Sequence, residues 1–134
     1  MGYAYDIVCE KCGKRIHLSW GMSYIYGWGN QTLVGWIKNG KYGKKAIEAY
    51  DSHEHALCHL ENHPFICGCG YLKTYENLVV MSNDLSNPEL FFASEHRCPR
   101  CHKKMRPLSD NERIRCPDCK GRMMVDLESE LMVD

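Results

Sequence analysis

Cysteines carry most of the chemistry open to this chain: Cys9, Cys12, Cys58, Cys67, Cys69, Cys98, Cys101, Cys116 and Cys119. Eight fall into close pairs and Cys58 stands alone. Fourteen residues separate Cys98-Pro99-Arg100-Cys101 from Cys116-Pro117-Asp118-Cys119. A tetrahedral zinc ion takes four thiolates. Two residues between cysteines let one turn present both sulphurs, and a second turn on a neighbouring hairpin completes the set. The spacing therefore predicts a metal site of Cys98, Cys101, Cys116 and Cys119. Cys9, Cys12, Cys67 and Cys69 repeat the plan around an insertion of 54 residues, which predicts a second site. A single residue separates Cys67 from Cys69, so Cys58, His59 and His63 stand as substitute ligands there. Two zinc ions are the expected cofactors. Iron is the less favoured alternative, since paired CPxC turns serve it as well.

Two other chemistries use the letters Cys98-Pro99-Arg100-Cys101-His102. Haem attachment requires export, and MGYAYDIVCEKCG lacks a basic segment followed by an apolar run. Dithiol exchange wants a low-pKa thiolate, usually at a helix start. Hairpins are the expectation around Cys98, so neither haem nor redox exchange is favoured. An enzyme reading rests on residues 52–63, where His53, His55, His59 and His63 crowd together. On a helix, His55, His59 and His63 would share a face, with Glu54 or Glu61 as base, as a metal-dependent hydrolase would need. The HExxH spacing is absent, and no phosphate loop or nucleophile elbow is present. The segment reads instead as a polar helix end or loop, and the balance leans against an enzyme.

The elements that must position these residues follow from local pattern. Strand-favouring residues at 3–8 and alternation at 14–18 place the first cysteine pair in a turn between strands. Similar patterns predict strands on both sides of Cys67–Cys69, at 78–81 and at 123–125. Leu33, Val34 and Ile37 predict a helix over 31–38 capped by Asn30. A second helix begins near Gly43-Lys44 and ends at Asp51-Ser52 or runs toward His63. Tyr24, Tyr26 and Trp28, interleaved with glycines, read as packing residues before a binding loop. The turn-rich SNDLSNP stretch predicts a boundary. The expected division is 1–81 with a helical insertion at about 21–63, a linker over 82–95, a compact metal unit over 96–126, and a fraying acidic tail over 127–134.

The segment 96–126 resembles a zinc ribbon. The whole layout is similar to a group of small, poorly characterised bacterial proteins with two zinc ribbons. The likeness rests on Tyr5-Asp6-Ile7-Val8-Cys9-Glu10-Lys11-Cys12-Gly13, on Asn39-Gly40-Lys41-Tyr42-Gly43, and on the closing CPxC pair. It implies a small, metal-stabilised α+β fold of short β-hairpins, and no activity.

Formal charge is zero, with 17 basic and 17 acidic residues. A non-catalytic interaction module binding another protein is therefore the favoured function. A nucleic-acid partner is the alternative, through Arg97, Arg100, Lys103, Lys104, Arg106, Arg113 and Arg115. No apolar run approaches a membrane span, and thiol-rich composition without an export signal predicts the cytoplasm.

Overall fold

The computed structural model describes residues 2–22, 30–84, 86–109 and 112–133. The elements are β1 (Gly2–Cys9), β2 (Arg15–Met22), α1 (Asn30–Lys38), α2 (Lys44–Asp51), β3 (Leu57–Ile66), β4 (Leu72–Met81), β5 (Leu90–Ala93), β6 (Arg106–Pro107) and β7 (Met123–Val133). Strand neighbours run β5-β4-β3-β2-β1-β7, with β6 pairing β3 off that path. The described residues make a small, mostly antiparallel β protein with two helices, roughly α+β. Among the described residues, no helix is long and apolar enough to cross a membrane.

The chain divides into two compact units, and neither is contiguous. The first comprises Met1–Gly21, Asn62–Tyr75 and Glu95–Asp134. The second comprises Met22–Glu61 and Glu76–Ser94. This differs from the serial division expected from the sequence. Residues 82–95 are not a linker, because β5 pairs with β4 and Ser82 N–H donates to the Glu89 carbonyl at 2.8 Å. Residues 127–133 are not a frayed tail, because β7 runs through them.

In the first unit, β1 sits between β2 and β7. Tyr3, Tyr5 and Ile7 lie opposite Trp20, Leu18 and Ile16 across the β1–β2 pair. Period-2 alternation puts these residues on one face. Ile7 and Leu18 are buried with Ile66, Leu72 and Leu108. A second cluster buries Phe65 and Met105 beside Cys67 and Cys98. Between Ala4 and Asp6 the β1–β7 register shifts, and Ser129 Oγ accepts from Asp6 N–H at 2.7 Å.

The second unit buries Leu33 and Ile37 of α1 and Ala46 and Ala49 of α2 with Leu60, Leu78 and Val80. The predicted stripe on 31–38 is thus the core-facing side of α1. α1 begins at Asn30, as expected of the cap position, though nothing is described of its side chain, and the aromatics Tyr24, Tyr26 and Trp28 lie outside the described residues. α2 stops at Asp51, and residues 57–66 form β3 rather than extending the helix. His55 sits between them at φ 57, a left-handed conformation that ends any helical spacing.

Candidate metal centres

Four tight turns carry the paired cysteines, and they share one hydrogen-bond plan. In the first, Cys9 N–H donates to the Lys14 carbonyl at 2.9 Å, and Gly13 N–H returns to the Cys9 carbonyl at 3.0 Å. Cys98 pairs with Lys103 and His102 in the same two ways, and Cys116 with Gly121 and Lys120. The Cys67 turn is one residue shorter: Cys67 N–H reaches the Tyr71 carbonyl, and Gly70 N–H the Cys67 carbonyl, each at 2.9 Å. Each turn closes through a left-handed residue after its second cysteine. These are Gly13 at φ 79, Gly70 at φ 101, His102 at φ 63 and Lys120 at φ 62.

Strand pairing then decides which turns meet. β1 and β7 place Cys9 opposite Met123, and Glu10 N–H donates to the Arg122 carbonyl at 2.9 Å. The first turn therefore faces the fourth. β3 and β6 place Ile66 opposite Arg106, so the second turn faces the third. Two groups of four sulphurs result, Cys9 with Cys12, Cys116 and Cys119, and Cys67 with Cys69, Cys98 and Cys101. Within each group all four lie within 4.8 Å of one another. The sequence expectation paired Cys9 and Cys12 with Cys67 and Cys69, and Cys98 and Cys101 with Cys116 and Cys119. The structure brings together the same eight cysteines in a nested order instead, an outer centre spanning the chain and an inner one within it.

The donor sets fit a tetrahedral ion. Thiolates about 2.3 Å from zinc would lie roughly 3.8 Å from each other. The cross-turn Sγ–Sγ distances are 3.4 Å for Cys9–Cys119, 3.6 Å for Cys12–Cys116, 3.2 Å for Cys67–Cys101 and 3.6 Å for Cys69–Cys98. Backbone amides support the sulphurs. Lys11 and Cys12 N–H each donate to Cys9 Sγ at 3.4 Å, and Arg100 N–H donates to Cys98 Sγ at 3.4 Å. Gly121 is required by space: a Cβ there would lie 2.9 Å from Cys9 Sγ and 3.2 Å from Cys119 Sγ.

Protonation is unequal within each group. The Cys12 amide, helped by that of Lys11, holds the Cys9 thiol down at about 6. Burial pushes Cys98 up, but amides of Cys101 and Arg100 outweigh it and leave about 7. The Lys14 amide pulls Cys12 down, yet hydrogen bonds with the Cys116 and Cys119 thiols carry it up to about 12. The Cys69 amide likewise pulls on Cys67, and the Cys101 thiol and burial raise it to about 12. Four adjacent thiolates repel one another, so protons remain until a cation compensates the charge.

The two centres touch through their turns. Arg100 donates to Asp118 Oδ1 at 2.8 Å and to the Pro117 carbonyl at 3.1 Å. Lys14 Nζ lies 3.0 Å from the other Asp118 oxygen. Asp118, whose carboxyl Arg100 and then Lys14 hold below the usual range, therefore joins turns one, three and four. Nothing in the spacing signals this contact, because it depends on the nested order.

The substitute ligands lie elsewhere. Cys58 is buried in the second unit's core, and burial raises its thiol to about 11. His59 is buried with Nε2 3.6 Å from Glu61 Oε2. His63 Nε2 is 3.1 Å from the Leu108 carbonyl. His53 stacks on Phe91 at 3.6 Å. Among the described residues, the metal-capable groups of His, Cys, Asp or Glu are the two cysteine sets, so His55, His59 and His63 do not converge. The hydrolase expectation needed a helix through them, and the β3 strand removes it.

The basic segment is partly neutralised within the fold. Arg97 donates to the His102 carbonyl, Arg100 binds Asp118, Lys104 binds Glu95, and Arg106 binds Glu112. Lys103, Arg113 and Arg115 have no ion pair among the described residues. No family model matches this chain, and no curated protein or solved structure matches it either.

Proposed function

We propose that both centres bind zinc, in zinc-ribbon-like turns, and that the ions hold the fold together. The observation that carries this reading is the closed donor set: four cysteine sulphurs within 4.8 Å at each centre. Four thiolates fill a tetrahedral shell and leave no position for a reacting water, which is the difference between structural and hydrolytic zinc. The donors alone accept iron too, but nothing among the described residues points to an electron-transfer role. Zinc-finger peptides gain on the order of 10–16 kcal/mol from such an ion, against a typical domain stability of about 5–15 kcal/mol.

The function is then a metal-stapled, non-catalytic interaction module of the cytoplasm, with protein the favoured partner. A nucleic-acid partner is the second reading, supported by Lys103, Arg113 and Arg115; its affinity would fall steeply with salt. Elemental analysis of natively purified chain is expected to give two zinc ions per molecule. Chelation is expected to abolish the native circular dichroism spectrum. A native spectrum after verified metal removal would overturn the structural role.

A further inference from the structure

β7 is the terminal strand of the sheet order, and among the described residues it pairs with β1 alone. It carries apolar side chains in the open: Met124 and Val125 are each 46% exposed and Leu127 is 77% exposed. A long, apolar edge strand is a template for pairing with another chain. Many edges are blunted by lysine, proline or a covering loop. β7 has neither lysine nor proline, Arg15 holds its Asp126, Glu128 and Glu130 lie past the register shift, and the Arg115–Arg122 bridge flanks only its first end, leaving 124–126 open and in register with β1.

Beside this edge lies a groove of about 520 Å³. Its apolar wall comes from Ile7, Ile114, Met123 and Val125, and its charge from Arg113, Arg115 and Arg122. Arg115 and Arg122 face each other across an isolated antiparallel bridge. Like charges directly opposite each other destabilise a pair of strands. None of the three arginines has an ion pair among the described residues. Glu112 also lines the groove, but Arg106 holds it. The charge left over is positive, and a ligand that supplies carboxylates would relieve the Arg115–Arg122 repulsion.

We infer that the β7 edge and this groove form a docking site for an extended acidic segment of a partner protein. The segment adds a strand beside Met124–Asp126, beyond the Arg115–Arg122 bridge, a recognised mode in which main-chain hydrogen bonds supply affinity and alternate side chains supply specificity. Its apolar side chains face Met123, Val125 and Ile114, and its carboxylates meet Arg113, Arg115 and Arg122. Exposed apolar backbone edge together with arginine favours a peptide over a nucleic acid, which would use the arginines and leave the edge unpaired. The inference rests on the proposed interaction role and names its partner.

The test uses the zinc-loaded full chain and a dye-labelled peptide of alternating glutamate and valine, followed by fluorescence anisotropy. Saturable binding that weakens with salt is expected, with a loss of roughly tenfold or more in the Arg113→Glu, Arg115→Glu double variant. N-methylation of one alternate set of peptide amides is expected to abolish binding, and of the other set to spare it, since only one set faces the edge. Absence of saturable binding, or equal tolerance of both N-methylated peptides, would overturn the inference. So would mixed-sequence single-stranded DNA that binds more tightly and displaces the peptide. Zinc content measured on each sample separates the two readings. Two ions without peptide binding overturn this inference alone, whereas fewer than two ions overturn the metal reading on which both stand.

Discussion

At the scale of single residues, the cysteine turns make a comparison within one molecule. The position after the second cysteine must be left-handed in all four. Glycine fills it twice, and His102 and Lys120 fill it at φ 63 and 62. A left-handed conformation costs a non-glycine residue roughly 1–2 kcal/mol. His102→Gly and Lys120→Gly are each expected to raise stability by up to about 1 kcal/mol, after glycine's greater unfolded-state entropy is counted, read as a higher denaturant midpoint. An unchanged or lower midpoint in both would contradict the shared turn geometry. The ligand letters were legible in the sequence; the left-handed positions at 102 and 120 were not, because histidine and lysine do not mark such a conformation as glycine does. The same scale sets the pH dependence. Without an ion, Cys12 and Cys67 stay protonated at neutral pH, being raised to about 12. Zinc must expel those protons, so affinity rises with pH and falls on acidification. Below about 6, the level to which Cys9 is lowered, that thiol of the empty outer centre is protonated as well, so zinc competes with one more proton and its affinity falls more steeply. A pH-indicator titration in weak buffer is expected to show proton release on zinc addition at neutral pH, and no release would contradict the thiol protonation described.

At the scale of elements, strand pairing governs metal pairing. The spacing inside each turn is local, and it was readable. The choice of partner turn is set by residues far away in sequence, through β1–β7 and β3–β6. Both pairs were illegible for identifiable reasons. β7 contains Asp126, Glu128 and Glu130 between its apolar residues, so most of it resembled a solvated tail. β6 is two residues long and includes Pro107. Missing β7 as a full strand is the same error as joining the first turn to the second, because β7 is what delivers the fourth turn to Cys9. The His-rich segment failed in a related way. Its four-residue spacing suits a helix face, but β3 is buried along Cys58, His59 and Leu60, and burial on consecutive positions belongs to a covered strand.

At the scale of the molecule, nesting explains why the sequence division into serial domains does not hold. The outer centre ties residues near the start of the chain to residues near its end, and the inner centre closes a shorter loop within it. Both belong to the first unit, while the helices, the start of β3 up to Glu61, the end of β4 from Glu76, and β5 belong to the second. The pairing of the turns is the central claim, and alkylation of single-ligand variants tests it most directly. Zinc-loaded Cys116→Ser is treated with iodoacetamide under native conditions, and the modified cysteines are mapped by mass spectrometry. The nested arrangement predicts that Cys9, Cys12 and Cys119 become labelled together while Cys67, Cys69, Cys98 and Cys101 stay protected. Labelling of Cys98 and Cys101 with Cys9 and Cys12 still protected would contradict it.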